Sequence, residues 1–323
     1  MKHMVLVVQP IHESGMKVFD DRFDVKVATN PSVATVIQEI QGVEGVVVRT
    51  APFTREIIAA ARSLKVIARH GVGVDNIDVQ AATEHGIVVV NTPDANATSV
   101  AEHTIIAMGA LAKRALFMDK ATRANRWEVR NEYKTVDLDG KILGLIGVGR
   151  IGSQVARKAR AAYNMNVMAY DPYIAPEAAA AAGITLVSDL GHVFREADVV
   201  SLHTPLTPVT RDLVNTDRLA SMKPSAFLIN FSRGEVVDEG ALCHALKNGV
   251  IAGAALDVFQ QEPPQSDNPL FELENVLLSP HSAALTKECV QRMATGAARG
   301  VVEVLTGQRP TYPVNPAVLG GGD

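Results

Sequence analysis

The stretch Gly144-Leu145-Ile146-Gly147-Val148-Gly149-Arg150-Ile151-Gly152 decides the reading of this chain. An apolar strand runs into Gly-x-Gly-x-x-Gly and a helix follows. Asp171 then closes the next strand, Val167-Met168-Ala169-Tyr170-Asp171, 19 residues beyond Gly152. This is the fingerprint of a turn that holds a dinucleotide pyrophosphate, in its proper strand–turn–helix context. Gly147 permits the tight turn, Gly149 lets the pyrophosphate approach the backbone, and Gly152 lets the helix pack close to the sheet. The helix opening at Arg150 points its free N–H groups and positive dipole end at the phosphates. Asp171 is expected to accept hydrogen bonds from the adenosine ribose hydroxyls and to repel a 2′-phosphate, which favours NAD over NADP.

Working outward, short β-branched runs alternate with helical patterns almost throughout. One series comprises Val5–Val8, Val25–Ala28, Val46–Val48, Val66–Ala68 and Val88–Val90. A second comprises Leu143–Ile146, Val167–Tyr170, Thr185–Val187, Val199–Leu202, Ala226–Ile229, Ala252–Leu256 and Val276–Leu278. Apolar strands of this length with helices between them indicate parallel sheets covered on both faces. Two series predict an α/β protein of two doubly wound, Rossmann-like domains. A long apolar helix is expected over Ala97–Met118, joining the first series to the second, and a final one over Thr286–Leu305. If that last helix returns to the first domain, the nucleotide domain (98–284) is inserted in a discontinuous substrate domain (1–97 and 285–323). Gly320-Gly321-Gly322 reads as a frayed end.

Composition narrows the function classes. The chain has 323 residues, 47% of them apolar, and a net charge of −4. No block of like charge calls for nucleic acid or an anionic membrane. Met4-Val5-Leu6-Val7-Val8 lacks the basic run and cleavage site of a signal peptide and reads as a buried strand. No apolar stretch spans a bilayer. The two cysteines, Cys243 and Cys289, lie in helical patterns without metal-ligand spacing, so no metal is expected and the setting reads as a reduced cytoplasm.

Three later segments end strands of the second series. They are Leu228-Ile229-Asn230-Phe231-Ser232-Arg233, Ala255-Leu256-Asp257-Val258-Phe259-Gln260-Gln261-Glu262 and Leu278-Ser279-Pro280-His281. Ligands of open parallel sheets bind beyond the carboxyl ends of the strands, so Arg233, Glu262 and His281 are candidates to meet there. Singly, each has an ordinary reading as a turn or loop residue. Together they fit hydride transfer to a carbonyl: an imidazole donates or takes the proton. A carboxylate orients that ring and raises its pKa. A guanidinium binds a substrate carboxylate and polarises the adjacent carbonyl.

With these residues in view, the chain resembles the D-isomer-specific 2-hydroxyacid dehydrogenases over nearly its whole length, and most closely their D-3-phosphoglycerate dehydrogenase branch. Further motifs carry the resemblance: Arg69-His70-Gly71-Val72-Gly73-Val74-Asp75-Asn76-Ile77-Asp78, Asn91-Thr92-Pro93, Ser99-Val100-Ala101-Glu102-His103-Thr104 and His203-Thr204-Pro205-Leu206-Thr207. The resemblance implies that Arg233, Glu262 and His281 are the catalytic set, and that Arg150 and Ile151 cradle the pyrophosphate by their backbone. It implies that Asp171 binds the ribose, and that Thr204, Phe231, Ser232 and Asp257 line the nicotinamide half, with Asp257 bonding near the carboxamide. Val72 and Gly73 would offer backbone N–H groups to the substrate carboxylate, and Arg49 and Thr50 would contact its distal part. Trp127 and Arg130 match an arm that joins a homodimer interface. His103 and His203 read as structural or cofactor-adjacent.

The expected activity is interconversion of a D-2-hydroxy acid and its 2-oxo acid. The first choice is 3-phosphoglycerate and 3-phosphohydroxypyruvate, which would place the protein in serine biosynthesis; hydroxypyruvate, glyoxylate and other small 2-oxo acids follow. His70 stands where the phosphoglycerate branch often carries a small residue, which bears on substrate choice. Glu262 argues against the formate dehydrogenase branch, which carries an amide there. The chain ends soon after its last helix, so no serine-feedback domain is expected. A remote alternative is an NADH-sensing corepressor of the C-terminal-binding-protein type, which would carry a tail beyond this core.

Overall fold

The structure is a computed structural model and describes residues 2–320; Gly321 and Gly322 of the expected frayed end lie outside them. Two compact units emerge, Met1–Asn96 with Ala284–Asp323, and Ala97–Ala283. Each is a parallel α/β sheet.

The first unit carries β1 (His3–Val7), β2 (Phe23–Val27), β3 (Gly45–Val48), β4 (Val66–Arg69) and β5 (Val88–Val90) in the order β2-β1-β3-β4-β5. Every pairing is parallel. Alternate residues of one strand enter opposite cores, as the period of two requires. Val46 and Val48 join Phe53, Ile57 and Ile58 under the helices Val33–Glu39 and Arg55–Ala60. Val47 joins Val5, Val7, Ala297 and Val301 under the helix Lys287–Leu305. Burial on both faces explains why these strands are apolar at every position. The helix Lys287–Leu305 packs on this sheet, with Thr286 accepting the Cys289 N–H as its N-cap.

The second unit carries β6 (Ile142–Ile146), β7 (Asn166–Tyr170), β8 (Thr185–Leu186), β9 (Val199–Leu202), β10 (Phe227–Asn230), β11 (Gly253–Leu256) and β12 (Val276–Leu278). Their order is β12-β11-β10-β9-β6-β7-β8. The connection reverses direction between β6 and β9, which creates a switch point at their carboxyl ends. All twelve expected strands are present, with no end displaced by more than two residues.

One element differs. The long helix expected over Ala97–Met118 is broken into Ala97–Ala112 and Ala115–Arg123. Arg114 takes a left-handed conformation at the break (φ 48°), with its guanidinium 4.3 Å from the Tyr133 ring centroid and 5.0 Å from that of Phe117. Lys113 pairs with Asp137. Tyr133 and Asp137 lie downstream of the helix, so its apolar periodicity carries no trace of these two contacts.

A buried histidine interrupts the core of the first unit. His70, just beyond β4, is 5% exposed, and its Nε2 has no partner among the described residues. Burial first, then the Arg49 and Arg69 charges, lower its pKa from 6.5 to about 4, against the opposing pull of the His70 and Val290 backbones. The unfolded chain takes up this proton below pH 6.5 and the folded chain only below about pH 4. Stability from the neutral ring is therefore complete above pH 6.5 and is lost as pH falls toward 4, by at most about 3 kcal/mol. Urea unfolding of the parent and of His70→Leu across this range should show the parent losing ground to the variant as pH drops. A gap independent of pH would contradict a buried neutral ring.

Candidate active site

The dinucleotide turn sits at the switch point of the second unit. Gly147 has φ +95°, and a Cβ there would meet the His203 carbonyl oxygen at 2.7 Å. A Cβ on Gly152 would meet the Gly147 carbonyl oxygen at 2.3 Å, so the turn closes only with glycine at both places. Gly149 faces open space and is the N-cap of the helix Arg150–Tyr163, which has no side-chain cap and no acid in its first turn. A helix start of this kind, at the positive end of its dipole, favours an anion over Arg150 and Ile151. Asp171 accepts the Val148 N–H at 2.7 Å on one oxygen and the Tyr173 N–H at 2.8 Å on the other. A carboxylate held this way keeps lone pairs for a ribose diol. An open backbone at Gly149, an uncapped helix start and a fixed acid fit a bound dinucleotide. Thr204 lies just beyond β9, next to the His203 carbonyl against which Gly147 packs.

The three candidate reactive side chains lie in the same unit. His281 Nδ1 stands 2.7 Å from Glu262 Oε2, so the ring donates Nδ1–H to the carboxylate and turns Nε2 outward. The Phe259 N–H donates to Glu262 Oε1 at 3.1 Å. Burial pushes the Glu262 carboxyl up; the His281 hydrogen bond and charge, the Phe259 N–H and the Arg233 charge outweigh it and hold the group below its usual range. Glu262 is therefore ionised at neutral pH.

Two buried polar residues at strand ends set these positions. Asn230, 1% exposed at the end of β10, accepts the Ser232 N–H and hydroxyl and donates to the Arg233 carbonyl at 2.8 Å. Asp257, 2% exposed beyond β11, accepts the Ser279 hydroxyl at 2.5 Å and the Ser282 N–H at 2.8 Å on Oδ1, and the Ala283 N–H at 2.8 Å on Oδ2. Its carbonyl accepts the His281 N–H at 2.8 Å. His281 itself has φ +49°, a left-handed conformation costly for a side-chain-bearing residue and held here by the Asp257 bonds. Phe231 is buried and stacks on His103, while Ser232 is half-buried.

Arg49, Thr50, Val72 and Gly73 belong to the first unit. Arg49 and Thr50 follow β3, and Val72 and Gly73 follow β4, its neighbour in the sheet. Asn76 ties the two loops by donating to the carbonyls of Arg49 (3.2 Å) and Ala51 (2.7 Å). The Gln9 side chain, beyond β1, accepts the Thr50 and Ala51 N–H groups, and Arg49 donates to the Pro10 carbonyl. Arg49 and Thr50 thus stand at this sheet's own switch point, between β1 and β3. Among the described residues nothing accepts the N–H of Val72 or Gly73.

Residues 105–283 match the family described as D-isomer specific 2-hydroxyacid dehydrogenase, NAD binding domain. The chain belongs to that family. The matched span falls wholly within the Ala97–Ala283 unit, so the glycine turn and all three candidate reactive residues lie in the family's NAD binding domain. The chain is 44% identical over 312 residues to the D-3-phosphoglycerate dehydrogenase of Methanocaldococcus jannaschii, covering 96% of this chain and 59% of that protein. It is 43% identical over 312 residues to the namesake from Synechocystis sp., covering 96% and 56%. It therefore spans about three-fifths of the length of the curated relatives it matches. Among solved structures, the TT0316 protein of Thermus thermophilus superposes with a TM-score of 0.86 at 34% identity, covering 96% of this chain and 99% of that one. The NADPH-dependent glyoxylate/hydroxypyruvate reductase of Sinorhizobium meliloti, in complex with NADP and malonate, gives 0.87 at 29% identity, covering 97% of each.

Trp127, the chain's one tryptophan, is 65% exposed, and Arg130 places its guanidinium 5.8 Å from the Trp127 ring centroid. Sequence reasoning passed over Asn230, Ser279 and Gln9. The first had a signal, since a polar residue ending the apolar run Phe227-Leu228-Ile229 is buried with its strand and must find partners there.

Gly234 brings the Arg233 and Glu262 segments together: a Cβ there would sit 2.0 Å from the Phe259 backbone carbonyl. Gly234→Ala must push these backbones apart, at about 1–3 kcal/mol. Denaturant unfolding should show that loss, and crystals of the variant should show Arg233 displaced from Glu262. An unchanged unfolding midpoint would mean that the two segments are not held in contact.

Proposed function

We propose that this protein is an NAD-dependent oxidoreductase that interconverts a D-2-hydroxy acid and its 2-oxo acid, with 3-phosphoglycerate and 3-phosphohydroxypyruvate as its pair. The observation that carries the reading is the 2.7 Å His281–Glu262 bond beside Arg233, in a unit that also builds the dinucleotide turn. When bound, the nicotinamide cofactor supplies or receives the hydride. In the reducing direction, Arg233 binds the substrate carboxylate with its planar fork and draws charge from the adjacent carbonyl. His281 donates a proton from Nε2 to the carbonyl oxygen as that oxygen gains charge, and takes it back in reverse. Glu262 holds the Nδ1–H, fixes the ring's orientation and stabilises the imidazolium. Asp257 and Asn230 keep the two reacting segments in place.

NAD is preferred to NADP because the Asp171 charge would repel a 2′-phosphate. In this reading the Met1–Asn96 and Ala284–Asp323 unit recognises the substrate through Arg49, Thr50, Val72 and Gly73. The 3-phosphoglycerate pair is favoured by the curated relatives and would place the protein in serine biosynthesis. The exposed Ile106 and Leu116, on consecutive helices, and Trp127, in the turn after the second, favour a homodimer, to be checked by sedimentation equilibrium. Two free cysteines fit a reducing cytoplasm.

The test is NADH oxidation with 3-phosphohydroxypyruvate, hydroxypyruvate, glyoxylate and pyruvate, repeated with NADPH. The expected outcome is the highest kcat/KM for the phosphorylated acid and a preference for NADH. A higher kcat/KM for hydroxypyruvate or glyoxylate would make the protein a general 2-oxo acid reductase. His281→Ala should lose about 100-fold or more in kcat while binding NADH with little change. Parental turnover in that variant would refute the role of His281.

A further inference from the structure

One side chain of the Ala97–Ala283 unit touches both segments that carry the reacting residues. His103, on the helix Ala97–Ala112, stacks on Phe231 with ring centroids 4.9 Å apart and a 58° interplanar angle. Its Nε2 lies 3.3 Å from Ser279 Oγ. Phe231 belongs to the segment of Arg233, and Ser279 to the turn of His281. The directions of the bonds follow from the proton count. The Ser279 hydroxyl donates its single proton to Asp257 Oδ1, so its oxygen is the acceptor for His103. His103 therefore carries its proton on Nε2, and the chain runs His103 to Ser279 to Asp257. Asp257 in turn holds the Ser282, Ala283 and His281 N–H groups. A leucine at position 103 would pack on Phe231 equally well, and would give Ser279 no donor.

We propose that His103 is a positioning residue, which keeps the Arg233 segment and the His281 turn in one register through Phe231 on one side and the Ser279–Asp257 chain on the other. Its kinetic consequence rests on the reading given under Proposed function. The imidazole touches no reacting atom. It acts by narrowing the range of positions of the His281 ring, whose left-handed backbone depends on the Asp257 bonds.

The test compares His103→Phe, which keeps the stacking ring and removes the donor, with Ser279→Ala, Ser279→Thr and the double variant His103→Phe/Ser279→Ala. In 2-oxo acid reduction, His103→Phe and Ser279→Ala should each lose about tenfold in kcat, with NADH affinity within about twofold of the parent. Ser279→Thr should recover most of that loss, and the double variant should be no worse than either single one, because both break the same chain. A second readout does not depend on turnover: the Cε1–H resonance of His281, assigned by its disappearance in His281→Gln, should shift or broaden in both single variants. Ser279→Ala removes one oxygen atom and carries the test if His103→Phe does not fold. Turnover within twofold of the parent in both variants, or an unmoved His281 resonance, overturns the proposal. If the parent reduces none of the 2-oxo acids, the proposed function fails separately, and the His281 resonance still decides the role of His103.

Discussion

The Asp257 carboxylate has almost no water around it, and a buried charge left without partners costs several kcal/mol. It finds its partners in the turn that follows β12: the Ser279 hydroxyl and the Ser282 and Ala283 N–H groups. That requirement shapes the site. The chain beyond β12 must fold back over Asp257 to supply the donors, and doing so places His281 in a left-handed conformation it would not adopt alone. From there the ring reaches Glu262 at 2.7 Å. Remove the carboxylate, and the turn loses the acceptor of three of its donors, leaving the Asp257 and Ser279 carbonyls and Glu262 to hold His281.

The neighbouring strand repeats the device. Asn230 ends β10 as Asp257 follows β11, and the Asp257 N–H donates to the Asn230 carbonyl at 3.1 Å. Two buried polar side chains on adjacent strands thus fix two reactive loops, one carrying Arg233 and the other His281. Both are anchored on sheet ends, which hold a side chain more tightly than a free loop does. The dinucleotide turn uses the same carboxyl edge further along, where β6 and β9 part. One sheet edge thus carries both the glycine turn and the His281–Glu262 pair, and no hinge is needed to register them within this unit.

How far the sequence foretells this follows from which interactions are local. Val46-Val47-Val48 reads as a strand buried on both faces because each residue enters a core, and the two cores follow from the pleat alone. The glycine turn is legible because Gly147 and Gly152 answer backbone contacts, and Gly149 leaves open space, at fixed spacing. Arg233, Glu262 and His281 are legible as residues that follow strands, and their mutual geometry is not, since it depends on Asp257 and Gly234 acting across 25 residues of chain. The resemblance implies that Asp257 bonds near the carboxamide; the structure adds a second task, since its two oxygens also accept three donors of the His281 turn. The break at Arg114 escaped for the same reason as Ser279: its partners, Tyr133 and Asp137, are distant in sequence.

The preference for NAD over NADP proposed for this protein rests on a count of lone pairs. A carboxylate offers about four acceptor directions. At Asp171 two are taken, by the Val148 and Tyr173 N–H groups, and these bonds also fix the plane of the carboxylate. What remains is a pair of acceptors on an oriented anion. A ribose diol brings two donors and fills them. A 2′-phosphate brings no donor when fully ionised and places like charges a few ångströms apart, where each would need a cation that Asp171 does not provide. Neutralising the acid alone would lift the repulsion without supplying that cation, so full use of the phosphorylated cofactor would require a basic residue nearby as well as the loss of Asp171.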